Sequence, residues 1–213
     1  HPHIGTNKLP EIVSDIRETI LTAGGEVRFN TKLTGIEIDN GEVVAVETNN
    51  GRIATKQVIL ATGHSARDVF ELLHKQEIVI EAKPFALGVR IEHQQKLIDQ
   101  IQYKCKTRGA YLPPASYSLV HQVNGRGVFS FCMCPGGIIA PAMTASDEVV
   151  VNGWSPSKRN GEFANSGFVV EIRPEDWNQF GRQNPLAAME FQAAVEKKAF
   201  VAGGSNLQAP AQR

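Results

Sequence analysis

The sequence has only three cysteines in 213 residues, Cys105, Cys132 and Cys134. So sparse and odd a set makes no disulfide framework and places the thiols in a reducing compartment. Charge of one sign is also missing: 22 Lys+Arg against 22 Asp+Glu leave a formal net charge of zero. There is therefore no electrostatic footprint for nucleic acid or an anionic membrane. No run approaches the roughly 18–20 consecutive apolar residues of a spanning helix, and the opening His1-Pro2-His3-Ile4-Gly5 is neither a signal nor a transit peptide. Together these absences point to a cytoplasmic protein whose partner is a small molecule, with no nucleic acid and no membrane; they leave the oligomeric state open. A G-x-G-x-x-G run after a strand is also lacking, since Gly24-Gly25, Gly125-Arg126-Gly127 and Gly203-Gly204 all fall short of it. Nothing here would hold a pyrophosphate on a helix amino end. The sequence starts without Met and stops at Gln212-Arg213 with no polar tail, the expectation for a piece of a longer protein.

What is present reads as an ordinary globular mixture of helix and strand, 42% hydrophobic and 21% charged. Ile12, Val13, Ile16, Ile20 and Leu21 recur at helical spacing between Pro10 and Gly24-Gly25, which predicts an amphipathic helix over Leu9–Thr22. Short β-rich runs at Val27–Phe29, Leu33–Ile38, Val43–Thr48 and Arg52–Thr55 are separated by Asp39-Asn40-Gly41 and Asn49-Asn50-Gly51, good hairpin chemistry for an antiparallel meander. Gln57-Val58-Ile59-Leu60-Ala61-Thr62-Gly63 is a continuous apolar run ending in Gly, the pattern of a strand buried on both faces. A helix over Ala66–His74 follows, with Ser65 as its cap.

Beyond Gln76 the texture changes, and a domain boundary is expected near residues 75–83. Strands are expected at Ile78–Glu81, Phe85–Glu92, Ser118–Val123, Val128–Phe131, Glu148–Asn152 and Phe168–Ile172, with helices at Leu97–Tyr103 and Pro185–Phe200, the latter capped by Asn184.

Cys132-Met133-Cys134-Pro135-Gly136-Gly137 is the most chemical-looking run. Strand alternation would point Cys132 and Cys134 to one face, toward one ligand, without easily allowing a disulfide between them. Such thiols are either redox partners or small buried hydrophobes beside a tight turn. A zinc site from Cys105, Cys132, Cys134 and His121 lacks paired C-x-x-C spacing, so no metal is expected. Arg90 and Glu92 share a strand face opposite His93, an arrangement suited either to orienting an anionic substrate or to a plain surface ion pair.

The segments Lys83 to His93, Phe129 to Gly137, Val151-Asn152-Gly153, Ala164-Asn165-Ser166 and Pro185-Leu186 through Glu190-Phe191-Gln192, in that order, resemble the uncharacterised bacterial FAD-dependent dehydrogenase family. The order helix, meander, Val58 to Gly63 also resembles the return strand of flavoprotein dinucleotide-binding domains. The resemblance implies a flavoprotein whose inserted domain covers the isoalloxazine. By that likeness Leu33 lies at the adenine end of FAD, Ala61, Thr62 and Gly63 pass close to the cofactor, and Pro135, Gly136 and Gly137 face the flavin or substrate. His64, directly after Gly63, is either a hydrogen-bond partner of the flavin edge or a plain helix-entry residue, and Cys132 and Cys134 would be the catalytic pair.

The expectation is thus an α+β or α/β protein: part of an FAD-binding, Rossmann-like domain over residues 1–75, with its meander, and a mixed, sheet-rich substrate or cap domain over 76–213. The function expected is that of a fragment of an FAD-dependent oxidoreductase, with FAD bound in the full-length protein and absent from this piece, which would be inactive. The rival reading is a non-catalytic module that binds a ligand or a protein on an ancestral flavoprotein fold. A reaction linked to tRNA or quinone is a further alternative, the tRNA version disfavoured by the balanced charge.

Overall fold

The computed structural model describes residues 3–212. Pro10 and Glu11 open helix α1 (Leu9–Thr22), and Gly24, at φ 84°, turns the chain out of it. A three-stranded antiparallel meander follows, β1 (Leu33–Asp39), β2 (Glu42–Thr48) and β3 (Gly51–Ala54). Its first turn uses Asn40 and Gly41, both at positive φ (51° and 82°), as a tight hairpin requires. Helix α2 (Arg67–Lys75) packs back on the meander through Gln76, which receives the Ile36 N–H and donates to the Ile36 carbonyl.

The larger part is a four-stranded antiparallel sheet in the order β4, β9, β6, β5, from β4 (Phe85–Gln94), β5 (Val120–Val123), β6 (Arg126–Cys134) and β9 (Phe163–Ile172). Between β4 and β5 lies α3 (Gln95–Tyr103), and a separate ribbon pairs β7 (Ile138–Ala142) with β8 (Val150–Trp154). A 3-10 segment, Pro174–Phe180, and α4 (Ala187–Ala202) close the fold. Two small cores hold it. In one, Ile172, Trp177 and Ala187 meet Phe85, Phe180 and Phe191, with Phe85 stacked on Trp177 at 5.9 Å. In the other, Ile98, Ala115 and Ala164 meet Tyr103, Tyr117 and Met133.

Helix and sheet are therefore mixed, and the sheets are antiparallel, as an α+β reading requires. Several local expectations are corrected. Gln57–Gly63 forms no strand, and Ile59 is 91% exposed, because a strand buried on both faces needs paired strands beside it and packed layers over it, and the described residues offer neither. Val27–Phe29 and Ile78–Glu81 are likewise unpaired. Ser65 does not cap α2, whose first position follows Ala66 with no side-chain cap bond, and Asn184 sits outside α4, accepting from the Leu186 N–H.

The apolar stripe of α1 exists as expected but is uncovered, with no residue of the helix buried and Val13, Ile16, Ile20 and Leu21 all exposed. The chain exposes 14937 Å², whereas a compact monomer of 23.2 kDa would expose about 9,700 Å² by the usual size scaling. Exposed apolar side chains on α1, at Ile59 and Leu60, and at Val89 and Val120 of the sheet contribute to the excess.

Candidate functional site

The Cys132–Gly137 run sits where β6 leaves the four-stranded sheet. The β6–β9 register holds from Val128 to Phe131 and then shifts, so that Cys134 stands opposite Asn165, the place regular pairing would give to Met133. Cys132 adopts a left-handed conformation, φ 48°, unusual for a side chain with a Cβ. This irregularity corrects the expectation that both thiols share a face. Cys132 is exposed and Cys134 is buried. Yet Cys134 Sγ folds back to 3.4 Å from the Cys132 carbonyl oxygen.

Arg90 of β4 organises this corner. Its Nη2 donates to the Cys132 carbonyl at 2.6 Å and reaches Cys134 Sγ at 3.7 Å, while its Nε donates to Asn165 Oδ1 at 2.9 Å. Arg90 thus takes no carboxylate partner among the described residues, which removes the surface ion-pair reading. Gly153 makes room for it, since a Cβ there would strike the guanidinium and Asn165 Oδ1. Burial pushes the Cys134 thiol up to about 11, the Cys132 side chain adds to the rise, and the positive charges of Arg90 and Arg159 oppose it. Two buried donors beside this corner have no partner, Arg159 Nε and Asn165 Nδ2, and Asn165 is wholly buried.

The loop that follows is fixed from beneath. Gln95 donates to Asp99 Oδ1 at 2.9 Å and accepts the Gly136 N–H at 2.8 Å, and Asp99 also accepts the Ala115 N–H. Ser155 Oγ donates to the Pro135 carbonyl at 2.6 Å. Gly136 and Gly137 pack so closely on the Arg159 and Trp154 carbonyls that neither position admits a Cβ. Pro135, Gly136 and Gly137 are accordingly buried, and the Gly136 N–H is already engaged.

The other expected residues lie elsewhere. Leu33 starts β1, half-buried, and Ala61, Thr62 and Gly63 are exposed, Gly63 at φ 74° with open space where a Cβ would stand. His93 is on the opposite face of β4 from Arg90, 2.8 Å from the Tyr117 hydroxyl, and burial holds its imidazole below the usual value. Two clefts flank α4. One, of about 560 Å³, is lined by Arg67, Asp68, Glu148, Glu190 and Lys197; the other, of about 420 Å³, includes His64, Lys83 and Met189. Neither contains Cys132 or Cys134.

A cluster unforeseen in the sequence joins α2 to the second part. Arg67 donates to Glu148 through Nη1 and to Glu196 through Nη2, the latter at 2.7 Å, and both carboxylates are almost wholly buried. The three charges are far apart in sequence and follow no period, so only the fold brings them together. Among the described residues no group of three His, Cys, Asp or Glu side chains could hold a metal, and no helix is long and apolar enough to cross a membrane.

An antiparallel α+β domain that presents a thiol pair held by arginine is the class this geometry defines. Residues 84–213 match the family described as FAD-dependent protein, C-terminal domain-like, and the chain belongs to that family. An uncharacterised protein of Clostridium beijerinckii is 43% identical over 212 residues, 99% of this chain and 39% of that protein. The chain therefore spans about two fifths of the length of this relative.

Proposed function

We propose that this chain is the substrate-side domain of a flavin-dependent oxidoreductase, residues 76–213, joined to a part of its FAD-binding, Rossmann-like domain, residues 1–75. The observation that carries the reading is the family match, which falls on the sheet bearing Cys132, Cys134 and Arg90. The residues present fit FAD in part. The Ala61-Thr62-Gly63 segment stands open, with no atom within contact of a Cβ at Gly63, as a backbone that approaches a ring system would be. Leu33 opens the neighbouring meander. A diphosphate cradle is not among these residues, so it would come from the remainder of a longer polypeptide, and the uncovered stripe of α1 would pack there.

Bound FAD would supply two-electron transfer. Around it the chain's own residues bind and orient. Arg90 fixes the Cys132 carbonyl and the Asn165 amide; Gln95 and Ser155 hold the Pro135-Gly136-Gly137 turn; Cys132 presents a thiol to solvent. The substrate is a small molecule, in a cytoplasmic setting.

The test is an absorbance spectrum of a polypeptide of the relative's length beside that of the 213-residue chain, read at the flavin bands near roughly 370 and 450 nm. A yellow longer protein and a colourless chain are expected. A colourless longer protein that takes up no added FAD would overturn the reading.

A further inference from the structure

Resting on the flavoprotein reading for its source of electrons, we propose that Cys132 and Cys134 form a dithiol/disulfide couple that reduces small-molecule disulfides, with Cys132 as the attacking thiol and Cys134 as the resolving one.

The backbone carries the first part of the argument. In a regular strand, residues two apart stand about 6.6–6.8 Å from each other with parallel side chains, at the edge of what a disulfide can span. Here the register breaks between Phe131 and Cys134, and Cys132 takes the left-handed conformation instead. Cys134 Sγ turns back onto residue 132, reaching 3.4 Å from its carbonyl oxygen. A non-glycine residue held in that conformation needs surroundings that enforce it, and Arg90 does so by donating to the Cys132 carbonyl at 2.6 Å.

The asymmetry of the two thiols assigns their roles. Cys132 is exposed and can meet a disulfide from solvent, whereas Cys134 is buried and can meet only what is already attached at residue 132. Burial keeps Cys134 protonated until it is needed. As a thiol it donates to the Cys132 carbonyl, and the Arg90 guanidinium, with Nη2 at 3.7 Å from the sulfur, is placed to stabilise the thiolate that forms when Cys134 attacks.

The chemistry balances. The Cys132 thiolate attacks one sulfur of R–S–S–R; a Cys132–S bond forms, the substrate S–S bond breaks, and R–S⁻ leaves and takes a proton from water. Cys134 then gives its proton to water and attacks the Cys132 sulfur; the Cys132–Cys134 bond forms and the second R–S⁻ leaves. Two protein thiols are oxidised and one disulfide is reduced by two electrons. Reduced FAD, held by a longer polypeptide, would supply the two electrons and two protons that restore the dithiol.

The experiment is exchange of the reduced protein with 2-hydroxyethyl disulfide, followed by thiol release and by mass mapping of the cysteines. Two equivalents of 2-mercaptoethanol and a Cys132–Cys134 disulfide are expected, with Cys105 unmodified. Cys134→Ser should stop after one equivalent with the adduct on Cys132, and Cys132→Ser should give no adduct at neutral pH. Arg90→Met should slow release of the second equivalent at least tenfold, and by more than it slows the first. In the wild type, iodoacetamide at neutral pH should label Cys132 ahead of Cys134, a readout that needs no variant to fold. Independent adducts on both cysteines, an equal reaction at Cys105, or a Cys134→Ser protein that behaves as wild type would overturn the couple. Exchange as expected in a longer protein without flavin bands would uphold the couple and overturn the flavin reading. Flavin bands without the internal disulfide would do the reverse.

Discussion

Replacing Arg67 by Met tests how the first and second parts of the chain are joined. Arg67 is the only cation bonded to Glu148 and Glu196 among the described residues, and those carboxylates are 2% and 4% exposed. Gln192 helps only Glu196, donating to its other oxygen at 2.6 Å. Removing one member of a buried ion pair costs about 3–5 kcal/mol, chiefly because the partner charge is left without compensation. Here two carboxylates lose their shared partner, so the upper half of that range is the expectation. For a domain of this size the midpoint of thermal unfolding should fall by about 8–20 °C. Urea denaturation followed by Trp177 fluorescence reads it, because Trp177 is 3% exposed in the core that α4 covers, and Trp154→Phe removes the exposed second indole. Adding Glu148→Gln and Glu196→Gln to Arg67→Met should recover most of the loss, since uncharged amides need no cation. A loss under about 1 kcal/mol, within the range of exposed pairs, or a triple variant no more stable than Arg67→Met, would refute the reasoning.

Four further outcomes are expected. Trp177→Ala, which empties the stack on Phe85, should cost about 3–5 kcal/mol in urea denaturation followed by far-UV circular dichroism. The His93 ring should titrate below 6.5 by proton NMR, because burial disfavours its cation; the fold therefore keeps this stabilisation above pH 6.5 and loses it as the pH falls through the lower folded value, seen as an acid-side drop in urea midpoint that His93→Gln abolishes. Alkylation of Cys134 should stay slow at neutral pH and rise steeply only as the pH nears about 11, which peptide mapping after iodoacetamide can follow. Gly153→Ala should push the Arg90 guanidinium off the Cys132 carbonyl and crowd the buried Asn165 Oδ1, so it should both slow the second thiol release and lower the urea midpoint.

The second half of the fold is readable from sequence because its signals are local. Asn124-Gly125 closes the β5–β6 hairpin with φ of 49° and 74°, and the apolar runs around it pair as expected. The ribbon strand Ile138–Ala142 escapes such a reading because Pro141 interrupts it, and a proline is tolerated there on a two-stranded edge. Val58–Leu60 misleads for the opposite reason: its composition fits a buried strand, but burial is a property of neighbours, and the described residues supply none. At the site, the Cys-Met-Cys-Pro-Gly-Gly run stands out by its residue types alone. The bulge that separates the two thiols leaves no mark in periodicity, and Arg90 and Asn165 are 75 positions apart, so their pairing depends on the β4–β9 register.

The contact between the beginning of the chain and the loop after β8 carries a consequence in time. Thr6 donates its N–H to the Ser155 carbonyl, Asn7 accepts the Ser157 N–H, and Gly5 lies so close to Ser157 that no Cβ fits between them. Asn7 and Ser157 are 150 positions apart. At roughly 5–20 residues per second on the ribosome, the first segment waits about 8–30 s for its docking site to be made. The apolar stripe of α1 is open throughout that interval and stays open once the contact is made, so the demand for a chaperone falls on the nascent and the docked state alike.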